Sequence, residues 1–207
     1  MVRKVTLDEL YDMAAEAREA IWAEAAEYGR EPKVYLHWTA GHYADGDESQ
    51  MYLDDYHIAI DWDGSIYVDR PLDEALAHTF RRNTGSIGVT LTCAYKANTE
   101  DLGEEPPTDI QIETMAQVVW KLCDALWLTV DLDHVMSHGE AADNCDGLRP
   151  HTEYGPQADV QRWDLQYLGT DDSPYYTSDH SDPITGGNVI RGKANWYKQT
   201  YGGMTNE

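Results

Sequence analysis

Residues 34–41 read Val-Tyr-Leu-His-Trp-Thr-Ala-Gly and are the most informative part of the sequence. Four of its first five residues are apolar or aromatic, a composition typical of a buried strand. The Thr-Ala-Gly that follows predicts an abrupt end to that strand. The sequence therefore predicts that the imidazole of His37 is held at the end of a strand, beside a loop.

Two later side chains extend this observation to a candidate metal site. A second histidine, His138, follows the strand-like residues 132–137, and a carboxylate, Asp164, comes later in an Arg-Trp-Asp sequence. Two imidazoles and one carboxylate, with a fourth position left open, are the ligand set of a hydrolytic zinc site. We therefore treat His37, His138 and Asp164 as candidate zinc ligands.

The composition indicates one globular domain with a strongly acidic surface. The 207 residues are 42% hydrophobic, which is enough for one substantial core. The formal net charge of −23 argues against nucleic acid and anionic membrane surfaces as partners. No apolar run in the sequence is long enough to span a bilayer, so we expect no membrane insertion.

The cysteines and the N-terminus suggest where the protein is made. Cys93, Cys123 and Cys145 are too few and too scattered for a disulfide framework, so we expect reduced thiols in a protein made in the cytoplasm. The first residues are basic, but Asp8 and Glu9 interrupt any signal-peptide core. If the protein acts outside the cell, another route must release it.

Helix and strand patterns along the chain predict an α/β domain with a mixed sheet. Thr6 and Glu9 form a capping-box pattern at the start of a helix that stops near Gly29, and Thr108 and Gln111 open a second long helix in the same way. Strands are predicted at residues 33–38, 56–61, 65–68, 86–92 and 132–136, and a closing helix at 188–201.

Five short motifs follow one another in the order of a known family. They are His-Trp-Thr-Ala-Gly at 37–41, Tyr-His-Ile at 56–58, Ala-His at 77–78, Asn-Thr-Gly-Ser-Ile-Gly-Val at 83–89 and Ser-His at 137–138. Over residues 33–168 the chain resembles the zinc-dependent N-acetylmuramoyl-L-alanine amidases of the peptidoglycan-recognition-protein type, which include phage lysozyme-like amidases. The resemblance implies a central mixed sheet flanked by helices, with zinc in a groove on one face.

The resemblance also assigns the metal ligands. It makes His37 and His138 zinc ligands. The third ligand of the family is Asp or Cys, typically two positions after a basic residue, and Asp164 fits this pattern through Arg162. Cys145 is the alternative third ligand because it lies nearer to His138 in sequence, although an acid and not a base stands two positions before it.

Further roles concern the reaction and the substrate. Tyr56 matches the tyrosine that the family places beside the zinc water, and Arg162 matches a basic residue near the developing oxyanion. Some branches carry a glutamate where this chain has Thr90, which cannot be a strong general base, so the tyrosine-type arrangement is favoured. Contacts to the muropeptide are expected from three residues in the flanking motifs, namely Thr39, His78 and Asn83.

Two side chains near His138 are open to more than one interpretation. Glu140, two residues after it, is either a substitute base or a partner that supports the ligand. His134 lies four residues before it, on the same face of the predicted strand, and is a candidate for a similar supporting role. The segment 139–161 is long, has no periodicity and lies between two candidate ligands, which favours a functional loop.

The sequence therefore predicts a zinc amidase that cleaves peptidoglycan between N-acetylmuramic acid and L-alanine. We expect an amidase catalytic domain at residues 1–168, and a C-terminal extension at 169–207 packed on the same domain. The expected setting is a monomeric phage or prophage endolysin, made in the cytoplasm and acting on the cell wall after holin-type release. The alternatives are a non-catalytic peptidoglycan-binding module and a cytoplasmic amidase that recycles muropeptides.

Overall fold

The computed structural model describes residues 1–143, 145 and 163–202, and a mixed sheet lies at the centre of this part of the chain. Its strands are β1 (Arg3–Val5), β2 (Lys33–Trp38), β3 (Ile58–Ile60), β4 (Ile66–Val68), β5 (Ser86–Leu91) and β6 (Val135–Ser137). They are arranged in the order β1-β4-β3-β5-β2-β6. The strands β3, β5, β2 and β6 are parallel, whereas β4 pairs antiparallel with β3, and the edge strand β1 pairs antiparallel with β4. The predicted α/β fold with a mixed sheet is confirmed.

The helices of the described part flank this sheet. They are α1 (Leu7–Glu27), α2 (Asp109–Leu126), α3 (His138–Ala142) and α4 (Gly186–Tyr201). Both predicted capping boxes are present: the hydroxyl of Thr6 accepts the Glu9 N–H at 3.2 Å, and that of Thr108 accepts the Gln111 N–H at 3.1 Å. None of these helices combines the length and the apolar character that a membrane crossing requires.

Strand β2 separates the main core from the face that carries the site. Side chains alternate between the two faces of a strand. Val34, Leu36 and Trp38 belong to the large core cluster that also contains the buried side chains of α1 and α2. Tyr35 and His37 therefore point to the opposite face, where Tyr35 packs in a separate small cluster.

The register of β2 with β6 brings the two histidines together. Val34 is paired with Val135, and Leu36 with Ser137. His37 and His138 each follow one residue after the last of these pairs, Leu36 with Ser137. The two strands run in the same direction and both end at this edge, so these two side chains are neighbours although they are far apart in sequence.

Some elements differ from the prediction. The N–H of Tyr56 donates to the Tyr52 carbonyl at 3.0 Å, so Tyr56 lies in a turn and the strand predicted at 56–61 is reduced to β3. The first residues of the predicted loop 139–161 belong to α3, whereas most of the remainder lies outside the described residues. Strand β1 and helix α3 were not predicted because elements this short show no clear periodicity.

The strand predicted at 132–136 is displaced toward the C-terminus. The carboxylate of Asp131 accepts the N–H of His134 at 3.1 Å, which closes a turn. Strand β6 therefore begins only at Val135. The prediction that His134 shares a strand face with His138 is therefore wrong. The ring of His134 bonds instead to Asp131 at 2.9 Å and to Glu31 at 2.7 Å.

Helix α4 packs against α2 and β6. It begins at Gly186, slightly before the predicted start, and its side chains Ile190 and Ala194 are buried. On its α2 side, the ammonium of Lys193 bonds to the Glu113 carboxylate at 2.7 Å. The domain boundary at residue 168 stays a prediction.

Candidate metal centre

Three side chains meet at the carboxyl edge of β2 and β6. Nδ1 of His37 and Nδ1 of His138 are 3.0 Å apart. Oδ2 of Asp164 lies 3.4 Å from Nδ1 of His37 and 3.2 Å from Nδ1 of His138. Both histidines are buried and the aspartate is 13% exposed, so the group lies just below the surface.

The spacing of these atoms fits zinc. Tetrahedral zinc with bonds of about 2.0–2.1 Å to nitrogen and oxygen separates its ligand atoms by about 3.3 Å. The three observed separations of 3.0, 3.2 and 3.4 Å lie close to that value. Two neutral imidazoles and one carboxylate also leave a fourth position for water or substrate. The geometry and the chemistry of the donor set therefore both suit the ion that the resemblance implies.

Asp164 is brought to the histidines by a turn. The N–H of Gln166 donates to the Trp163 carbonyl at 3.0 Å, and the Trp163 ring packs edge-on against the ring of Trp38, with centroids 5.0 Å apart. Burial alone would raise the pKa of the Asp164 carboxyl. The close contacts with His138 and His37 outweigh that effect and hold the pKa well below its ordinary value. The aspartate is thus an anionic candidate ligand.

Cys145, the alternative third ligand, lies just after α3. Its side chain is half-buried and packs on the small cluster of Tyr35, Met136 and Ala141. Over the described residues, the group of potential ligands at this edge consists of the two histidines and Asp164. The structure therefore brings Asp164 to the histidines, and it does not bring Cys145 there.

The hydrogen bonds of His78 fix the tautomer of its ring. The Ser86 hydroxyl lies 2.7 Å from the Arg82 carbonyl and 2.8 Å from the Asn83 carbonyl, and both oxygens can only accept. The Ser86 oxygen must then accept from Nε2–H of His78 at 3.4 Å. Burial, followed by repulsion from His37, lowers the pKa of His78 well below its ordinary value, so the ring is neutral and its Nδ1 is an acceptor.

The same reasoning extends through Thr79 to the metal centre. The Thr79 hydroxyl lies 3.0 Å from Nδ1 of His78 and donates to it. Its oxygen is therefore available to accept from Nε2–H of His37 at 3.3 Å. This leaves Nδ1 of His37 with a lone pair directed toward His138 and Asp164, as ligation requires. Sequence reasoning missed Thr79, although it directly follows the Ala-His motif.

Two glycines in the motif at 83–89 have steric roles. A Cβ on Gly88 would lie 2.6 Å from the ring of His78, so only glycine lets this ring pack over β5. Gly85 has a φ of +65°, and a Cβ there would lie 2.5 Å from the backbone of Ala25 in α1. The motif thus places the ring that controls the tautomer of His37.

A cleft of about 320 Å³ opens beside the metal centre. The ring of Tyr56 lies against that of His37, with centroids 4.9 Å apart. The cleft is lined by Asp55, Tyr56, Ala77, His78, Phe80, Asn83 and His138. Three residues predicted from the sequence as catalytic or substrate-binding, namely Tyr56, His78 and Asn83, thus share a cleft with one of the candidate ligands.

The other two predicted residues are placed differently. The hydroxyl of Thr39 bonds within the turn after β2, where it accepts the N–H of Gly41 at 3.2 Å and that of Cys93 at 3.3 Å. Thr39 is not among the described residues that line the cleft. Arg162 lies outside the described residues, so its role stays a prediction.

A comparison with protein families identifies the chain. Residues 29–152 match the family model described as N-acetylmuramoyl-L-alanine amidase. The chain belongs to this amidase family. The family predicted from the motifs is therefore confirmed. No curated protein sequence matches the chain significantly.

Solved structures of amidases and peptidoglycan recognition proteins are similar to the chain at low identity. An endolysin N-acetylmuramoyl-L-alanine amidase, LysCS from Clostridium intestinale, is 20% identical over 54% of this chain and 71% of that one, with a TM-score of 0.40. Drosophila PGRP-LB is 17% identical over 74% and 87% of the two chains, with a TM-score of 0.42. A chain from a complex of the PGRP-LCa and PGRP-LCx ectodomains with tracheal cytotoxin is 17% identical over 71% of this chain and 84% of that one, with a TM-score of 0.40.

The amidase match covers only part of the metal centre. It includes His37, Tyr56, His78 and His138, but it ends before Asp164. In this family member, the third candidate ligand thus comes from a segment beyond the matched region.

We expect the Thr79 hydroxyl to control metal affinity. Thr79→Val keeps the shape of the side chain but removes the acceptor for His37 and the donor for His78. Zinc affinity should fall by about 10- to 100-fold, the usual effect of removing a partner that orients a metal-binding histidine. Competition with a chromophoric chelator measures it. Thr79→Ser, which keeps the hydroxyl, is the control, and equal affinities for the two variants would refute the hydrogen-bond chain.

Proposed function

We propose that the protein is a zinc-dependent N-acetylmuramoyl-L-alanine amidase that hydrolyses the amide bond between N-acetylmuramic acid and L-alanine in peptidoglycan. The observation that carries this proposal is the cluster of His37, His138 and Asp164 at the sheet edge, next to a cleft, in a chain of the amidase family. Family membership supports the reaction, and the donor set supports the metal.

His37, His138 and Asp164 would hold the ion. When bound, zinc would supply a Lewis acid that lowers the pKa of water toward neutrality and polarises the scissile carbonyl. Thr79 keeps His37 in the tautomer that ligation needs. The Tyr56 ring lies tilted against that of His37, and we propose that its hydroxyl donates a hydrogen bond to the reacting groups.

The remaining roles are proposed from the sequence and from the cleft. His78 and Asn83 line the cleft beside Tyr56, which makes this cleft the proposed seat of the muropeptide. We keep Thr39 as a proposed substrate contact at the turn after β2. Arg162 is proposed to stabilise negative charge on the carbonyl oxygen, because a guanidinium offers a planar pair of donors to such an oxyanion.

We propose an endolysin setting, in which a phage or prophage enzyme made in the cytoplasm reaches the wall after holin-type release. The family that the motifs indicate includes phage lysozyme-like amidases, and this setting is proposed on that basis. The negative charge of −23 agrees with a substrate other than nucleic acid.

Metal removal tests the mechanism. Incubation with a chelator should abolish the release of stem peptides from purified cell walls, and added zinc should restore it. Binding should also weaken in acid, because protonated imidazoles cannot ligate. Full hydrolysis by metal-free protein would exclude the mechanism, and wall binding by the zinc-loaded protein without any cleavage would instead indicate a recognition module.

Tyr56→Phe tests the hydroxyl of the tyrosine. The substitution keeps the ring against His37 and removes only the oxygen. We expect kcat to fall by about 100-fold or more, within the range for groups that donate to a transition state, while zinc content is unchanged. Steady-state hydrolysis of a soluble muropeptide and metal analysis measure the two quantities. An unchanged kcat would show that Tyr56 has only a packing role.

A pair of variants decides the third ligand. Asp164→Ala removes the anionic ligand and leaves two neutral imidazoles, so zinc occupancy and activity should fall together. Cys145→Ser should stay metallated and active, because the cysteine packs on the cluster of Tyr35, Met136 and Ala141 and is not part of the group of potential ligands. Metal analysis of both purified variants measures occupancy. If Cys145→Ser loses zinc and Asp164→Ala keeps it, the third ligand is Cys145 and not Asp164.

A further inference from the structure

Helix α4 lies outside the part of the chain that matches the amidase family, yet it reaches the residues around the metal centre. Its Arg191 is 6% exposed and forms a two-point ion pair with Glu140 of α3. The side chain of Glu140 is fully buried. Nη1 donates to Oε2 at 2.8 Å, and Nη2 donates to Oε1 at 2.6 Å. A paired, charge-assisted contact of this kind fixes both position and orientation.

Glu140 is bonded in turn to the residue that precedes a candidate ligand. Its Oε2 accepts the N–H of Ser137 at 2.7 Å, and the Ser137 hydroxyl accepts the N–H of Glu140 at 3.2 Å. This capping box encloses His138, the first residue of α3. Arg191 also donates to the carbonyl of Val135 in β6 at 2.8 Å. One guanidinium therefore ties together the strand before His138 and the helix after it.

These connections matter because the elements that carry His138 are short. Strand β6 has 3 residues and α3 has 5, and a single helical turn is not stable without tertiary contacts. The position of His138 therefore depends on the groups that hold these elements.

The first turn of α4 also contacts the segment that carries Asp164. The N–H of Gly186 donates to the carbonyl of Gln166 at 3.2 Å, and a Cβ on Gly186 would lie 2.2 Å from the Leu165 carbonyl. A Cβ on the next residue, Gly187, would lie 2.7 Å from the Glu140 carboxylate. The two glycines let α4 approach both ligand-bearing segments at once.

We propose that α4 is an integral part of the metal centre, in which Arg191 is a positioning residue that holds His138 through Glu140 while the Gly186–Gly187 turn supports the segment of Asp164. This inference rests on the proposed function, because it concerns the same zinc site. It assigns to the C-terminal extension a specific task in metal binding.

The first test compares two glycines of α4 and uses the full chain with zinc alone as ligand. Gly187→Ala should push the Glu140 carboxylate away from its place without removing any charge. Gly192→Ala adds the same methyl group where nothing lies within 4 Å, so it is the matched control. We expect Gly187→Ala to weaken zinc binding by about 10- to 100-fold and Gly192→Ala to leave it unchanged, measured by chelator competition.

The second test compares two cations of α4. Arg191→Met keeps most of the apolar stem and removes the guanidinium, whereas Lys193→Met removes the ion pair with Glu113 on the α2 side of the same helix. Zinc affinity should fall by about 10- to 100-fold only in the first variant. Adding Glu140→Gln to Arg191→Met should cause little further loss, because both residues act through one contact.

The outcomes separate this inference from the proposed function. Folding is checked by near-ultraviolet circular dichroism, and if Arg191→Met does not fold, Gly187→Ala decides. If the parent protein binds zinc and folded Gly187→Ala binds it equally well, the role of α4 is overturned and the proposed function is untouched. A parent protein that binds no zinc would overturn both.

Discussion

The parallel pairing of β2 with β6 is the constraint on which the site depends. It places His37 and His138 one position beyond paired residues, at the same edge of the sheet. A slip of one residue would turn His37 into the face occupied by Val34 and Leu36, which would bury an imidazole in the apolar core. The hydrophobic face of β2 therefore fixes the register, and the register in turn fixes the distance between the two histidines.

The strands alone do not determine which atoms face the metal. Carbonyl oxygens near Ser86 impose a direction on a chain of hydrogen bonds that ends at Nε2 of His37, which leaves Nδ1 for ligation. On the other side, the Glu140–Arg191 pair holds the short elements around His138. Both supports are built from buried, hydrogen-bonded polar groups, which would hold the candidate ligands in one arrangement before a metal binds.

Local patterns were sufficient to predict much of this structure. The capping boxes at Thr6 and Thr108 located the starts of α1 and α2, and the apolar run ending at His37 located β2, because each of these signals lies within a few neighbouring residues. The turn at Asp131 was not recognised, so β6 was predicted too early. Arg191 was not predicted to support the site, because its partner Glu140 lies in a distant segment and no local pattern reports such a contact.

The identity of the third candidate ligand also depends on contacts between distant segments, which no local pattern reports. From sequence spacing, both Asp164 and Cys145 were open, since either type of residue can bind zinc. The fold separates them, because a turn carries Asp164 to the two histidines while Cys145 packs near Tyr35. Distance in space, which the sequence does not contain, favours Asp164 as the third candidate ligand.

Anomalous diffraction at the zinc absorption edge, from crystals of the zinc-loaded protein, is the decisive test of the proposed metal site. We expect one strong peak within about 2.0–2.2 Å of Nδ1 of His37, Nδ1 of His138 and Oδ2 of Asp164. A peak bonded to Cys145, or a peak away from the two histidines, would contradict it.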